Sequence, residues 1–537
     1  MSPGSLHFIS IAGTDSADAK RDRQRRVRSY VTSRYYREQR AKGGETHHSN
    51  RRPAQIALEN DRSRSAEDAA SSRPALNTYT HAQAHSSPEA EPVGAPSLTT
   101  SEAFDDKPGH LQVSHPMNYL GQGVSDPFAA MPRDQMTPRM DKHLYYYVNV
   151  LMRQMRPSWT FALVRKKFGC GSFANADDLQ LNAICVFAST ARAMRTSDLS
   201  VYSVTDELGA ADLRSASFDW LYFKGKTMRI INTRLTNPRD AISDHTIGAI
   251  CELIMSETYI GNMDHVAIHA LGLRRLVDLR RSSDDLPYPL EYRILEAYIK
   301  AATVSLTRPT IPFTLELRKA MPLAGIEHVL PDLGSALIQN WSQLSLDQTF
   351  ISILYDIITT TRHIQARSEN GAWCSDEDYH ESIACKNLRI EYELLNWRAS
   401  NTIEKACRIA CLLYVNTCLI RAYRPSAAII RNLVNALCET LKNSPGSEAE
   451  GTSPWTYCPD MLFWVLVIGA HCSRQQPENE RFFLESVWQV ATLLNLHTWN
   501  AARNLLAHYL FIDDVYQETL EMIWLQGSRE GVLTEGK

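Results

Sequence analysis

From Pro116 onward, apolar residues return every third or fourth position almost to the end of the sequence. Ile247, Ile250, Cys251 and Ile254 form one such set, and Val266, His269, Ala270 and Leu273 another. Ala406, Ile409, Ala410 and Leu413, then Val487, Val490, Ala491 and Leu494, repeat the spacing further along. Each set makes one apolar stripe on a helix of 3.6 residues per turn, which predicts amphipathic α-helices. Alternation with a period of two is scarce, and the Asn370–Gly371 pair, a hairpin signal elsewhere, has no alternating segments beside it. The longest apolar run, "MLFWVLVIGAHC" from Met461, is about half of the ~20 residues that cross a bilayer, so it predicts a buried helix. No fixed repeat of ~30 to 50 residues argues for a regular solenoid. The pattern predicts an all-α fold: one large, irregular multi-helix domain over 116–532, with a disordered polar insert, "NSPGSEAEGTSP", near 443–454.

The stripes stop before Pro116. Residues 43–115 are rich in Ser, Pro, Ala and charge and poor in large apolar side chains. Such a segment buries too little to offset its ordering entropy, which predicts a disordered linker. Residues 1–42 form a basic arm: between Lys20 and Arg52 stand twelve Lys or Arg against three Asp or Glu. Wound as a helix, the arm would carry Arg21, Arg25, Arg28 and Tyr35 on one side, with Val27, Tyr30, Val31 and Arg34 next to it. The formal net charge of the 537 residues is only −3, so any affinity for a polyanion has to be local to this arm. Arg21, Arg23, Arg25, Arg26, Arg28, Arg34, Arg37 and Arg40 are its candidate nucleic-acid or import residues. Arginines neutralising phosphates give position on a duplex rather than base readout. An import signal, a solvated face and an arm docked on the helical body are the alternatives.

Candidate chemistry changes this picture little. Eleven cysteines contain no Cys-x2-Cys pair and no six-cysteine cluster. Cys407, Cys411 and Cys418 share a helical face, but eleven residues of helix span about 16 Å, far beyond one zinc ion with thiolates at about 2.3 Å. Core packing is the expected role. "HVAIH" sets His265 and His269 one turn apart, yet Val266 stands where a zinc protease carries its glutamate, so a structural or surface role is expected. "FGCGSFA" around Ser172 lacks the Gly-x-Ser-x-Gly spacing, and "YIGNMD" at 259–264 reads as a helix-ending turn rather than a phosphate cradle. No catalytic constellation emerges: neither an enzyme nor a resident metal or cofactor is expected. The opening residues carry only a brief apolar patch, Leu6 to Ile11, with charges on the wrong side for a signal peptide. With the odd cysteine count, this predicts a soluble chain in a reducing, intracellular compartment.

The order of short motifs resembles one family. Phe8 and Ile9 precede Arg25, Val27, Arg28 and Ser29; "SDPFAAMP", with Asp126, Pro127, Phe128 and Pro132, precedes the Tyr-rich "HLYYYVNV" containing Tyr145, Tyr146 and Tyr147. Then come Lys224, Ile231, Asn232, Leu235, Pro238, Ala241 and the helix from Asp244, followed by His269, Gly272 and Leu273. Glu404, Cys407, Arg408 and Leu412, then Trp464, Gly469 and Ala470, then Leu496, Trp499, Leu506 and Asp513, complete the series. This order is similar to the fungal-specific transcription factor domain family of the second type, a helical regulatory region. The resemblance implies a nuclear protein concerned with transcription and its regulation. Its implied partners are DNA through the arm, another transcription regulator, or a second copy of the chain; no membrane is implied.

Two departures limit the transfer. Arg281, Ser282 and Ser283 stand where relatives commonly show an Arg-Gly-Gly turn, and the zinc binuclear cluster that gives many regulators their DNA specificity is missing. A helical coactivator or scaffold without DNA contact is therefore the alternative. A small-molecule-binding module is a further one, and a convergent polar cluster in a helical pocket would be its sign. Trp464, Trp488 and Trp499 are expected in the core, where enclosed indole N–H groups need acceptors.

Overall fold

The computed structural model describes residues 137–156, 176–198, 207–281, 286–321, 325–369, 376–444 and 454–531. These residues are predominantly helical and contain no strand, the all-α class that the spacing predicts. The proposed linker 43–115, most of the insert 443–454 and the motifs around Phe8, Asp126, Ser172 and Asn370 lie outside them.

Local signals set the helix ends. Thr137 caps α1 (Pro138–Tyr146) by accepting from the Met140 N–H, and Pro138 supplies a pre-set φ at the first turn. A widened π-type turn, Tyr147–Leu151, carries the chain into the short α2 (Met152–Met155). Next come α3 (Asp178–Asp198), α4 (Glu207–Arg234) and the single turn α5 (Pro238–Ala241), capped by Asn237.

Ser243 caps α6 (Asp244–Ile260), which ends on Gly261 in the left-handed region (φ 91°). The Gly261 and Asn262 N–H groups both bond the Glu257 carbonyl, at 2.8 and 3.0 Å, satisfying an end-of-helix acceptor. A Cβ at Gly261 would also come within 2.6 Å of Ala428, so glycine is required twice over. "YIGNMD" is thus the helix-ending turn that its residues announce.

After it follow α7 (Met263–Arg281), α8 (Tyr288–Ser305), α9 (Ser335–Gln343), α10 (Thr349–Glu369) and α11 (Glu377–Asn396). Asn401 caps α12 (Thr402–Tyr414), and Glu404 reaches back to the Ser400 and Asp347 N–H groups, a capping-box variant that also ties down the preceding loop. A second widened turn, Val415–Leu419, ends α12. The chain finishes with α13 (Ala428–Lys442), α14 (Pro459–Cys472), α15 (Pro477–Leu493), α16 (Trp499–Leu506) and α17 (Asp513–Arg529).

Two helices organise the core. Residues Thr246 to Tyr259 of α6 are all buried, enclosed by α3, α7, α8 and α13. The Met461–Cys472 run lies in α14, packed against α12, α13, α15 and α17. No described helix is long and apolar enough to cross a membrane. The indole N–H of Trp464 donates to the Leu510 carbonyl at 3.0 Å and that of Trp488 to Ile523 at 3.1 Å. Trp499 departs from full enclosure: it begins the short α16 and is half-buried, packed against the core from its edge.

Candidate functional site

The described structure contains a cavity of about 460 Å³ bounded by α1–α2, α3, α6, α8 and α11. The widened turn places Tyr147 in its wall, and α2 adds Met152, Met155 and Arg156 at its C-terminal end. α6 presents Gly248, Cys251, Glu252 and Met255, spaced i, i+3, i+4 and i+7 along a single stripe, and α8 presents Tyr292, Arg293 and Glu296. Phe187 of α3 and Ala384 of α11 close the apolar floor.

Four charged side chains converge there. Arg293 is pinned: it meets the Glu252 carboxylate at 2.7 Å and donates to the Tyr147 hydroxyl at 3.2 Å. Burial pushes the Glu252 carboxyl above the usual range, with Arg293 pulling it back. Arg156 is held differently. Its guanidinium lies over the Tyr292 ring, 4.6 Å from the centroid, and reaches Glu296 only at 3.5 Å. Burial weakens the Arg156 cation, but Tyr292 and Glu296 outweigh it and raise its pKa. At the rim, Asp244 pairs with Arg280 at 3.2 Å, Glu381 with Arg318 at 2.8 Å and His245 with Asp177 at 2.9 Å.

Behind the cavity, α8 carries a fully buried ion pair. The Lys300 ammonium donates to Glu391 at 2.6 Å and to the Asn416 amide oxygen at 2.7 Å. Thr303 and the Asn416 amide complete the Glu391 acceptors, at 2.6 and 3.2 Å. The second widened turn is what brings Asn416 here, so both π-type turns serve polar clusters, as such turns often do. The group is fully hydrogen-bonded, which is the condition for a buried pair to persist.

The residues singled out in the sequence fall elsewhere. Arg21, Arg23, Arg25, Arg26, Arg28, Arg34, Arg37 and Arg40 lie outside the described residues, as does Ser172. Cys407, Cys411 and Cys418 are buried, with thiols pushed up by burial (Cys418 to about 11), and Cys407 packs its sulfur 3.5 Å from that of Met461. His265 and His269 sit edge to face at 6.3 Å on the exposed side of α7. His265 meets the buried Glu257 at 3.4 Å, beside Lys224, which also pairs with Glu257 and lies over Trp220. The histidine pair is thus one edge of a surface-to-core ion cluster. Among the described residues no group of His, Cys, Asp or Glu is arranged to hold a metal ion.

No motif in the sequence marks the cavity residues as a site. Tyr147 is a motif residue and Cys251 a member of an apolar stripe, but the convergence of the cavity wall depends on elements more than two hundred residues apart. The one local signal was the charged pair Arg293 and Glu296 inside an otherwise apolar helical pattern.

A family model described as "Fungal specific transcription factor domain" matches residues 192–509, which covers α4 through α16 and most of the cavity wall. No curated protein and no solved structure matches the chain. With more than half of its length covered by that match, the chain belongs to the fungal specific transcription factor domain family.

Proposed function

We propose that this protein is a nuclear transcription regulator whose helical body binds a protein partner and whose basic arm serves nuclear import or weak DNA contact. Membership of the transcription factor domain family carries this reading, and favours a regulator over an enzyme. The density of arginine between Arg21 and Arg40 supports the role of the arm. Partner binding draws support from α4, which exposes Phe218, Leu221 and Tyr222 along one stripe; Phe218 is 68% accessible. Such a stripe suits either another transcription regulator or a second copy of this chain.

The test is direct. Full-length protein is titrated onto random duplex DNA by fluorescence anisotropy at two salt concentrations, beside a variant with the eight arm arginines changed to alanine. Salt-sensitive binding that the variant loses supports direct DNA contact. Binding by neither, with a tagged copy still nuclear, supports the second reading, a coactivator recruited by a partner that holds the specificity. The missing zinc cluster favours that second reading. A tagged copy that stays outside the nucleus, with transcripts unchanged on deletion, defeats both. Light scattering then separates a homodimer from a heteromeric partner.

A further inference from the structure

Gly248 lies in the middle of α6 and is buried, yet a Cβ built on it would meet nothing within 4 Å. Glycine weakens a helix interior relative to alanine, and no close approach of another element requires it here. What lies in front of it is the cavity. The sequence therefore accepts a helix weakness where any larger side chain would fill that space.

The polar groups point the same way. Glu296 is 7% exposed and accepts no hydrogen bond among the described residues. Its ion pair with Arg156, at 3.5 Å, is longer than the 2.7 to 2.9 Å typical of a charge-assisted hydrogen bond. A buried carboxylate with unused acceptor positions is costly unless something donates to it. Arg156, over the Tyr292 ring, has a guanidinium nitrogen 3.5 Å from that carboxylate. A group that donates to Glu296 and accepts from Arg156 would complete both.

Charge sets the class of that group. Arg156 and Arg293 balance Glu252 and Glu296, while the rim acids Asp244 and Glu381 have their own arginines. A charged ligand would leave one buried charge uncompensated, whereas a neutral one would not. Apart from Gln180 and His245 the rest of the wall is largely aromatic or aliphatic, with Met152, Met155 and Met255 able to repack around an apolar body. The volume, about 460 Å³, is that of a small-molecule site.

We infer that this cavity binds an uncharged small organic molecule, with a hydrogen-bond donor adjacent to an acceptor on an apolar, ring-sized body. The donor meets Glu296, the acceptor meets Arg156, and the body lies against Tyr292, the methionines and the open face at Gly248. The site goes beyond the regulatory reading and does not depend on it, since it is tested by binding alone.

Three probes of similar size separate the possibilities by isothermal titration calorimetry on the full-length chain: 2-quinolinone, a neutral lactam; 2-naphthoate, an anion; and N-methylquinolinium, a cation. The lactam is expected to bind saturably and at least tenfold tighter than either ion. Gly248→Leu is expected to abolish that binding, and Glu296→Gln to weaken it at least tenfold. Should Gly248→Leu not fold, Gly248→Ala fills part of the same space and is expected to weaken binding severalfold with the melting temperature kept or raised. No binding of the lactam, tighter binding of either ion, or lactam affinity unchanged in the folded Gly248 variant and in Glu296→Gln would each overturn the inference.

Discussion

Two helix-interior glycines contrast the halves of this body. In α14, Gly469 faces the Phe483 ring of α15 so closely that a Cβ would lie 2.2 Å from it. In α6, Gly248 faces the cavity, with nothing within 4 Å of the same imaginary atom. The first glycine lets two helices approach until a ring replaces the missing side chain; the second leaves space that no helix fills. The C-terminal half, α12 to α17, thus packs closely around Trp464, Phe463 and Tyr516, all fully buried. The half around α6 and α8 instead surrounds a polar-lined opening. The teaching is that a glycine in a helix carries no meaning by itself: its neighbours decide whether it serves packing or room.

Lys300 sits between the halves and gives the largest test of the contrast. Its partners come from α11 and from the widened turn after α12, so the pair joins cavity-side and packed-side elements. Lys300→Met keeps the length and removes the charge, leaving Glu391 buried without compensation. A loss of about 3 to 5 kcal/mol is expected in urea unfolding. Adding Glu391→Leu removes the orphaned charge and is expected to recover much of that loss. A single variant as stable as wild type would mean that the two halves are not joined through this pair.

Gly469→Ala comes next. The ring opposite is fully buried and has nowhere to move, so overpacking should cost about 1 to 3 kcal/mol despite the better helix propensity of alanine. Thermal denaturation checks this, and Phe483→Leu in the same chain should relieve part of the strain. An unchanged melting temperature for Gly469→Ala would show that the packed half is looser than its contacts imply.

Acidity separates the halves by sign. Burial lowers His471 of the packed half, and His363 of the neighbouring α10, to about 4. Unfolded, they titrate near 6.5, so between those values the unfolded chain holds more protons. Their contribution is complete above about pH 6.5 and falls as the pH drops toward 4. Discounted for partial solvent contact from the ideal 1.4, this amounts to on the order of 1 kcal/mol per pH unit each. Glu252 in the cavity goes the other way: burial raises its folded pKa, so its contribution is present at low pH and declines as pH rises through that raised value. His471→Asn should flatten the acid side of a stability-versus-pH curve, whereas Glu252→Gln should leave the acid loss and remove the decline above it.

How much of this was legible depends on whether the signal was local. The stripe Ala406, Ile409, Ala410 and Leu413 announces α12, and every member is fully buried. Gly261 and its neighbours announce the end of α6 because a left-handed turn writes itself in adjacent residues. The cavity wrote nothing comparable. Tyr147, Gly248, Tyr292 and Ala384 carry no shared pattern in the sequence, and only the tertiary fold brings them around one opening. Lys300, in "EAYIKAATVS", looks like an ordinary solvated lysine, because Glu391 and Asn416 lie about a hundred residues away. His265 has metal-like spacing with His269 in the sequence, whereas in the fold it meets Glu257, across the turn at the end of α6.

The smallest effect is the most discriminating. Gly248→Ala adds one methyl group to a helix interior that has room for it, so propensity alone should act, and stability should rise by about 0.5 to 1 kcal/mol. Gly469→Ala makes the same chemical change with the opposite expected sign, and the two can be compared in one unfolding series. If Gly248→Ala destabilises instead, α6 is in close contact with something at that position, and the cavity is smaller than its walls indicate. If it stabilises, the native glycine is holding the helix below the stability open to it, and packing offers no reason for that. Space for a ligand is then what remains to explain a glycine at this position.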